Sequence, residues 1–316
     1  MRATCAKPAS PLAENVFSPN QSGKLGYYIK FSAAHVAESA AKDFDISSFR
    51  DAQGAPFCYN TSIVKFDLHI HSCLSPCANL EMAPSEIVAR AVSTGMDGIA
   101  LTDHQSARNT PAIAECARRA NLKCLFGMEV QTAEEVHTLA LFDTVEQALE
   151  MTEWVYAAMP KRVNDPETFG DQPVVTWDDD IVEMEWRILA MGCRRTIPET
   201  ATKVHELGGL YIAAHVDRAN HSVIGTLGMI PEPMVDSERQ PDGGRFFDAV
   251  ELSRTADESV WLPKIGDYAV TRSSDAHNIE DVARVWTEAD GEFSVAGLKK
   301  IFAAKATRIS PRLTSF

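Results

Sequence analysis

Two histidines separated by a single residue, His69 and His71, form the pair whose spacing most directly suggests chemistry. They lie in a stretch from Phe66 to Ser72 in which apolar and polar residues alternate, and this alternation predicts a β-strand. Because residues i and i+2 of a strand face the same side, we expect both imidazoles to project together, opposite an apolar face. Such a pair is half of a metal site, although two polar residues at the wet edge of a sheet would produce the same pattern.

Further histidines and acidic residues lie at the ends of other predicted strands. Taken one at a time, each is compatible with an ordinary hydrogen-bonded residue of the core or surface. Six histidines together with Glu129 and Asp275, all at the strand ends of one α/β pattern, favour a shared metal centre. Besides the His-x-His pair, the residues at strand ends are Asp103, His104, Glu129, His137, His215, Asp275 and His277.

The elements that would position these residues alternate between strand and helix from Lys65 onward. A helix is predicted over residues 84–94, ended by Gly95, and a polar, acidic helix is predicted over residues 180–192. Strands separated by helices imply a parallel sheet or barrel with right-handed crossovers, in which ligands gather at the carboxyl ends of the strands. An insertion-like region at about residues 143–197 interrupts this pattern. Its aromatic residues either pack it onto the barrel, which we favour, or stack on a base or sugar.

The composition is that of a globular protein with a strong acidic balance. The 316 residues suffice for one large domain or two ordinary ones, with 45% hydrophobic and 23% charged residues. A net charge of −14 disfavours stable, sequence-independent binding to nucleic acid. Seven cysteines without a Cys-x-x-Cys spacing, no apolar run long enough to span a membrane and no signal-peptide pattern indicate a reduced, cytoplasmic protein without a membrane partner. Residues 1–60, interrupted by Pro and Gly, are predicted to be a poorly ordered N-terminal extension of a domain over residues 61–316.

Taken in order from Lys65 to His277, the motifs resemble those of the PHP family (polymerase and histidinol phosphatase). The resemblance implies a distorted (β/α)7 barrel whose metal ions lie at the C-terminal ends of the strands. It also implies hydrolysis of phosphate esters, since members include histidinol phosphatases, nucleotide and oligonucleotide phosphatases, and proofreading domains of bacterial replicative polymerases. The matching stretches are Phe-Asp-Leu-His69-Ile-His71-Ser, Leu-Thr-Asp103-His104, Gly-Met-Glu129-Val, His137, Ala-Ala-His215 and Ser-Ser-Asp275-Ala-His277.

Carried over by motif, the resemblance implies two metal sites that share the carboxylate of Glu129, which thereby takes part in catalysis, and a third position beside them. Two divalent cations about 3.5–4 Å apart clamp a phosphoryl group and lower the pKa of a bridging water. Imidazole and carboxylate ligands suit Mn, Zn or Fe. The implied ligands are His69, His71, Glu129 and Asp275 for the first ion, Glu129, His137 and His215 for the second, and His104 and His277 for the third.

The chain departs from the family at the third metal site. Members place a His or an acid five or six residues after the second His of His-x-His, where this chain has Pro76 and Cys77. Cys77 binds the third ion as a thiolate, or the third site is empty, or Cys77 is a buried and inert thiol. We favour the thiolate, because a ligand is needed at that position and Pro76 would stiffen the loop that presents it. Cys73 has no family counterpart and is assigned a structural role.

Two further residues are assigned to the reaction. Asp103 either orients a ligand imidazole, which we favour, or acts as a general acid near the leaving group. Arg218 follows His215 by three residues, and a guanidinium there would take a phosphate by two parallel hydrogen bonds, unless it merely pairs with Asp217 or another surface acid. Arg254 is a weaker candidate for the same role.

Three polar residues near these motifs are assigned lesser roles. Asp67 precedes His69 on the same predicted face and is expected to support it. His205 lies within a predicted helix and His221 within a predicted loop, so both are interpreted as residues without a function in the site.

The leading hypothesis is a phosphomonoesterase that acts on a small phosphorylated metabolite or nucleotide through a metal-bridged hydroxide. A 3′–5′ exonuclease is the second enzyme hypothesis, against which the acidic balance argues. A metal-dependent amidohydrolase also uses His-x-His at a barrel strand end, but its metal-bridging lysine has no counterpart among these strand ends. A non-catalytic metal-binding regulatory module would require a lost ligand, whereas the first two sites look complete.

Overall fold

The computed structural model describes residues 63–233 and 244–314, so the predicted extension over residues 1–60 lies outside the described residues. The strands are Ile63–Asp67 (β1), Gly98–Leu101 (β2), Lys123–Gln131 (β3), His137–Phe142 (β4), Pro173–Val175 (β5), Ile181–Met184 (β6), Leu210–Ala213 (β7), Ala249–Leu252 (β8), Val270–Arg272 (β9), Thr287–Asp290 (β10) and Thr307–Ile309 (β11). The helices are Pro84–Ser93 (α1), Thr110–Ala120 (α2), Val145–Tyr156 (α3), Pro166–Phe169 (α4), Ile197–Glu206 (α5), Val223–Leu227 (α6), Glu258–Ile265 (α7) and Val295–Ala303 (α8), with a 3₁₀ turn at Ile279–Asp281.

Nine of these strands form one sheet, in the order β11-β10-β1-β2-β3-β4-β7-β8-β9, which curls into a nearly closed barrel. Arg272, at the end of β9, brings the two edges of the sheet together. Its backbone N–H donates to Thr287 Oγ1 on β10 at 2.9 Å, and its guanidinium donates to the Ser310 carbonyl after β11 at 2.6 Å. The predicted α/β barrel is therefore confirmed.

Two strands of the barrel, β4 and β10, run antiparallel to both of their neighbours, and β4 thereby brings a further residue to the site. β1, β2 and β3 are parallel, as are β7, β8 and β9, whereas β4 is antiparallel to both β3 and β7. In the resulting register, His137 at the start of β4 pairs with Gln131 at the end of β3. The first residue of β4 thus lies at the end of the barrel where the parallel strands finish, which we call the mouth.

The alternation around the His-x-His pair is less regular than predicted. Phe66 and Leu68 pack with residues of the other barrel strands and of α8, whereas Ile70 packs with Ile87 of α1 and Ile113 of α2. The continuous strand predicted through His71 is wrong, because β1 ends at Asp67 and only the isolated bridge between Ile70 and Ala276 continues it. Leu68 and Ile70 therefore pack on opposite sides of the sheet, just below the mouth.

Residues 157–196, which we call the arm, leave the barrel after α3 and return at α5. The helix predicted over residues 180–192 is wrong, because Ile181–Met184 pairs with Pro173–Val175 in an antiparallel hairpin. The Asn109 side chain accepts from Val175 N at 3.0 Å and donates to the Pro173 carbonyl at 3.3 Å. These bonds satisfy the outer edge of β5 at the start of α2, which favours strand over helix here.

The predicted insertion-like region at about residues 143–197 contains the arm and also α3, which packs against β3 and β4. α3 begins with a capping box, in which Thr144 and Gln147 exchange side chain to backbone hydrogen bonds. Within residues 63–233 and 244–314, no helix is both long and apolar enough to cross a membrane.

Candidate metal centre

A single buried carboxylate, that of Glu129 near the end of β3, lies among five imidazoles. Its Oε1 atom contacts two of the rings and its Oε2 atom contacts the other three. A carboxylate surrounded by ring nitrogens rather than by backbone donors is the donor set of a metal-binding site. The ring nitrogens and their distances from the nearer carboxylate oxygen are His137 Nδ1 (2.9 Å), His215 Nε2 (3.0 Å), His104 Nδ1 (3.2 Å), His69 Nε2 (3.4 Å) and His71 Nε2 (3.4 Å).

A second carboxylate, that of Asp275, faces the same space from the loop after β9. Its Oδ1 atom lies 3.3 Å from His69 Nε2 and 3.2 Å from His71 Nε2. All three side chains are buried, so they have no bulk water to solvate them. His69, His71 and Asp275 therefore form a compact set of ligand atoms, and Glu129 adjoins it.

When His69 and His71 are neutral, their ring nitrogens that face this space carry lone pairs. His69 Nδ1 lies 2.9 Å from Glu251 Oε1, a carboxylate oxygen that can only accept. Ser75 Oγ donates to Asp103 Oδ1 at 2.6 Å and therefore accepts from His71 Nδ1 at 3.1 Å. The two Nε2 atoms are 3.1 Å apart, and their lone pairs repel unless a cation or proton lies between them. The residues present thus fit a bound divalent metal.

One buried residue and three residues at the rim of the mouth form a further group of ligand atoms that all lie within 4.8 Å of one another. This group brings Cys77 together with the imidazoles, as the sequence predicted for a third metal position. Desolvation within the mouth, followed by the carboxylates of Glu129 and Asp275, raises the pKa of the Cys77 thiol in the metal-free protein. Thiolate formation there would depend on a metal ion. The four residues are His71, Cys77, His104 and His277.

The electrostatics of the metal-free protein separate the deep part of the site from its rim. Burial opposes a charge on His71, but hydrogen bonds with Asp275 and Glu129 outweigh it and raise the pKa of His71 to about 9. Burial also disfavours both carboxylates, yet the surrounding imidazoles hold their pKa values well below the ordinary range. Burial lowers the pKa of His104 well below its usual value and that of His277 to about 4, so both rim imidazoles are neutral and able to bind a metal near pH 7.

Two of the ligand residues have a strained backbone. His215 has a φ of 28° and Asp275 a φ of 48°, in the left-handed region that side chains with a Cβ rarely adopt. Such conformations cost on the order of 1 kcal/mol each and persist only where surrounding contacts enforce them. The Glu251 carboxylate contributes to this by accepting from the His215 backbone N–H at 3.2 Å.

Asp67 and Asp103 lie behind the ligands. Asp103 is buried, and its carboxylate accepts from Ser72 N at 2.7 Å and from the Ser72 and Ser75 hydroxyls at 2.6 Å each. Asp67 accepts from Ser274 N at 3.0 Å and so holds the loop that carries Asp275. Burial raises the pKa of Asp67 to about 6.

Arg218 lies at the mouth, with its side chain 44% exposed, and forms an ion pair with Asp275. The neighbouring Asp217 is occupied elsewhere, because its carboxylate accepts from Ser253 N at 2.7 Å and from the Ser253 hydroxyl at 2.6 Å. Arg254 is paired with Asp281 at 2.7 Å.

Sequence reasoning missed Glu251, which fixes His69, and Ser75, which fixes His71. The signal available in the sequence was the position of Glu251, an acidic residue inside the otherwise apolar strand β8. His221, which was assigned no role, stacks on His137 with 4.7 Å between the ring centres and lies beside the site.

Two other residues lie away from the ligands. His205 pairs with Asp248 at 3.1 Å, and Cys73 is buried beside Asn109.

Comparisons with known proteins agree with this geometry. A family model described as the PHP domain matches residues 67–183. The protein described as DNA polymerase III PolC-type from Streptococcus suis (strain 98HAH33) is 35% identical over 71 residues, which are 22% of this chain and 5% of that protein.

Two solved structures of endonuclease Q share the fold. The lesion-specific endonuclease PfuEndoQ from Pyrococcus furiosus has a TM-score of 0.53 at 20% identity, over 78% of this chain and 58% of that one. An endonuclease Q complex with a 27-mer duplex substrate, with an abasic lesion at the active site, has a TM-score of 0.54 at 20% identity, over 77% of this chain and 57% of that one. The chain thus spans less than two thirds of the length of these relatives. The match to the PHP domain thus covers residues 67–183, and the candidate metal-ligand residues inside and beyond that range lie together in one mouth.

Proposed function

We propose that this protein hydrolyses phosphate esters with the help of divalent metal ions bound in the mouth of its barrel. The observation that carries the proposal is the approach of His69 Nε2 and His71 Nε2 to 3.1 Å, with both Nδ1 atoms already bonded to acceptors. Two imidazoles held in this way are preorganised to bind a cation. When bound, divalent ions would supply Lewis acidity toward a phosphoryl oxygen and lower the pKa of a water.

The first ion would be held by His69, His71, Glu129 and Asp275, the second by Glu129, His137 and His215, and a third by His71, Cys77, His104 and His277. Around these ligands, Glu251 and the pair Ser75–Asp103 keep the imidazole protons on Nδ1. That arrangement aims the Nε2 lone pairs of His69 and His71 into the mouth. The same hydrogen bonds hold both rings in this orientation through turnover. Asp103 is a positioning residue in this account, because its carboxylate is fully engaged behind the ligands.

Arg218 is the residue that we assign to the substrate. Its half-exposed guanidinium lies beside Asp275, where a phosphate held near the metal ligands would meet it. A guanidinium offers two parallel N–H donors to a phosphate, and it would move from Asp275 toward the substrate when Asp275 binds a metal.

Two substrate classes are candidates. The first is a phosphomonoester of a small metabolite or nucleotide, whose single phosphate would suffice to occupy the cluster of ligand residues. The second is a phosphodiester of nucleic acid, favoured by the fold that the chain shares with endonuclease Q over 78% of its length.

The experiment compares p-nitrophenyl phosphate, bis-p-nitrophenyl phosphate and a short oligonucleotide, each with Mn²⁺ or Zn²⁺, after chelation, and after metal is restored. We expect hydrolysis of at least one ester that disappears on chelation and returns with metal. Hydrolysis that survives complete metal removal, or the absence of hydrolysis with every ester and metal, would overturn the proposal.

A further inference from the structure

Five basic residues of the arm lie on two segments that backbone contacts bring together. The Arg194 backbone N–H donates to the Ala158 carbonyl at 3.1 Å, which joins the end of the arm to its beginning. Val163 forms an isolated antiparallel bridge with Arg187. Lys161 and Arg162 lie in the segment between Ala158 and Val163. We call the set Lys161, Arg162, Arg187, Arg194 and Arg195 the basic surface.

The cations of the basic surface differ in their partners. Within the part of the chain that the structure describes, no ion pair is formed by Lys161, Arg162 or Arg194, and all three are exposed. Arg187 pairs with Glu185 at 2.9 Å. The guanidinium of Arg195 stacks on an indole, and its buried Nε atom has no hydrogen-bond partner.

Two acids near this surface, Glu185 and Glu199, accept hydrogen bonds from other groups. Glu185 is shared between Arg187, Arg108 and the Tyr156 hydroxyl. Glu199 accepts from the backbone N–H and hydroxyl of Thr196 at the start of α5. Exposed cations without ion pairs thus occur here in a chain whose net charge is −14.

Aromatic rings adjoin these cations. A cavity of about 260 Å³ opens between Tyr156, Lys161, Trp186 and Arg187, and Met159 and Pro160 close it. The Arg187 guanidinium lies 3.9 Å from the ring centre of Tyr156 and 4.4 Å from that of Trp186. The indole of Trp186 is 41% exposed, so one of its faces is open to a ligand. Cations interleaved with aromatic rings are the composition of surfaces that bind single-stranded nucleic acid.

The basic surface also borders the mouth. Cys193 N donates to the Gln131 carbonyl at 3.0 Å, and Ala133 N donates to the Arg195 carbonyl at 2.7 Å. Gln131 ends β3, which also carries Glu129, and Ala133 lies in the turn that leads to His137 at the start of β4. A ligand that extends from the metal centre over this turn reaches the basic surface.

We propose that the basic surface binds the phosphodiester backbone of a nucleic-acid strand while one phosphate of that strand occupies the mouth. The inference rests on the proposed phosphoester hydrolysis and assigns nucleic acid as its substrate class. A small phosphomonoester would fill the mouth alone and leave the basic surface unused. The strand's phosphates pair with Lys161, Arg162 and Arg194, and a base stacks on Trp186.

The test is fluorescence anisotropy of a labelled dodecathymidylate with chelated protein, so that binding is measured without turnover. The variant carries Lys161→Glu and Arg162→Glu, and a second variant carries Trp186→Leu. We expect the double variant to bind at least tenfold more weakly and its plot of log affinity against log salt to be shallower by about 1.4, the value for two lost phosphate contacts on a single strand. Trp186→Leu should weaken binding with an unchanged salt slope.

The matched control is Lys299→Glu with Lys300→Glu, which makes the same charge change on α8, away from the arm. The inference is overturned if the wild type does not bind the oligonucleotide, if the arm double variant binds as tightly as the wild type, or if both double variants lose affinity equally. Hydrolysis of the nitrophenyl esters by the wild type is measured separately, so failure of strand binding is distinguishable from failure of the phosphoesterase.

Discussion

The Nε2 atoms of His69 and His71 lie 3.1 Å apart, and each is within 3.3 Å of the same oxygen of Asp275. Buried polar atoms this close are stable only when a proton or cation satisfies them. Acceptors on the far side of each ring, Glu251 and Ser75, remove the choice of tautomer. Metal binding is thus the simplest physical explanation for this arrangement of buried polar groups.

Replacement of Glu251 by Gln is expected to weaken metal binding by about 10–100-fold. The amide oxygen still accepts from His69 Nδ1, but the negative charge that increases the basicity of the ring is lost. Isothermal titration with Mn²⁺ or Zn²⁺ measures the affinity, and circular dichroism checks that the fold persists. An affinity equal to that of the exposed control Glu206→Gln would exclude this role of Glu251.

Metal affinity is expected to rise with pH between about 7 and 9. Hydrogen bonds with Asp275 and Glu129 overcome burial and raise the pKa of His71 to about 9 in the metal-free protein, so the ring is protonated at pH 7. A metal ligand must be neutral, and each ion that binds must displace this proton. Titrations at several pH values and in buffers of different ionisation enthalpy count the released protons. A pH-independent affinity with no proton release would contradict the expectation.

Cys77 is expected to be protected from iodoacetamide when metal is bound and to be alkylated after chelation. The thiol is exposed at the rim, within 4.8 Å of the ligand nitrogens of His71, His104 and His277. Mass spectrometry after labelling at about pH 9 gives the extent at each cysteine, and the buried Cys73 serves as the internal control. Cys77→Ser should also lose bound metal. Equal labelling in both forms, with an unchanged metal count in the mutant, would rule out a ligand role for the thiol.

Arg218→Ala is expected to raise KM about 10–100-fold while the bound metal count stays unchanged, because hydrogen bonds to a charged group contribute about 1.5–3 kcal/mol. The KM of Arg218→Lys should lie between those of the wild type and Arg218→Ala, since an ammonium keeps the charge but lacks the paired donors. Steady-state kinetics with the best nitrophenyl ester provides the measurement. An unaltered KM, as expected for the control Arg118→Ala on the surface of α2, would remove Arg218 from the substrate site.

The residues at strand ends could be predicted from the sequence because parallel barrel topology gathers them. His71, Glu129 and His215 each lie at or just beyond the end of a parallel strand. Such ends meet at one mouth independently of the conformation of the loops. His137 lies at the same mouth only because β4 is antiparallel, whereas the sequence predicted a parallel arrangement of the strands.

Other features depend on partners that local patterns do not contain. Glu251 acquires its role from His69, 182 residues earlier in the chain, and no spacing rule connects the two. The helix predicted over residues 180–192 fails for a similar reason. The pairing of Ile181–Met184 with β5, and the contact of β5 with Asn109, decide its structure. The basic surface likewise exists only after the arm folds back on itself, so the net charge of −14 did not predict it.

The most direct test of the account is the metal content of Glu129→Gln, measured by inductively coupled plasma mass spectrometry beside nitrophenyl ester hydrolysis. Glu129 contacts all five imidazoles around it, and its neutral isostere removes the charge that two metal sites would share. The account predicts that the variant loses bound metal and hydrolysis together, while Glu206→Gln keeps both. A Glu129→Gln protein with the full metal complement and full activity would contradict it.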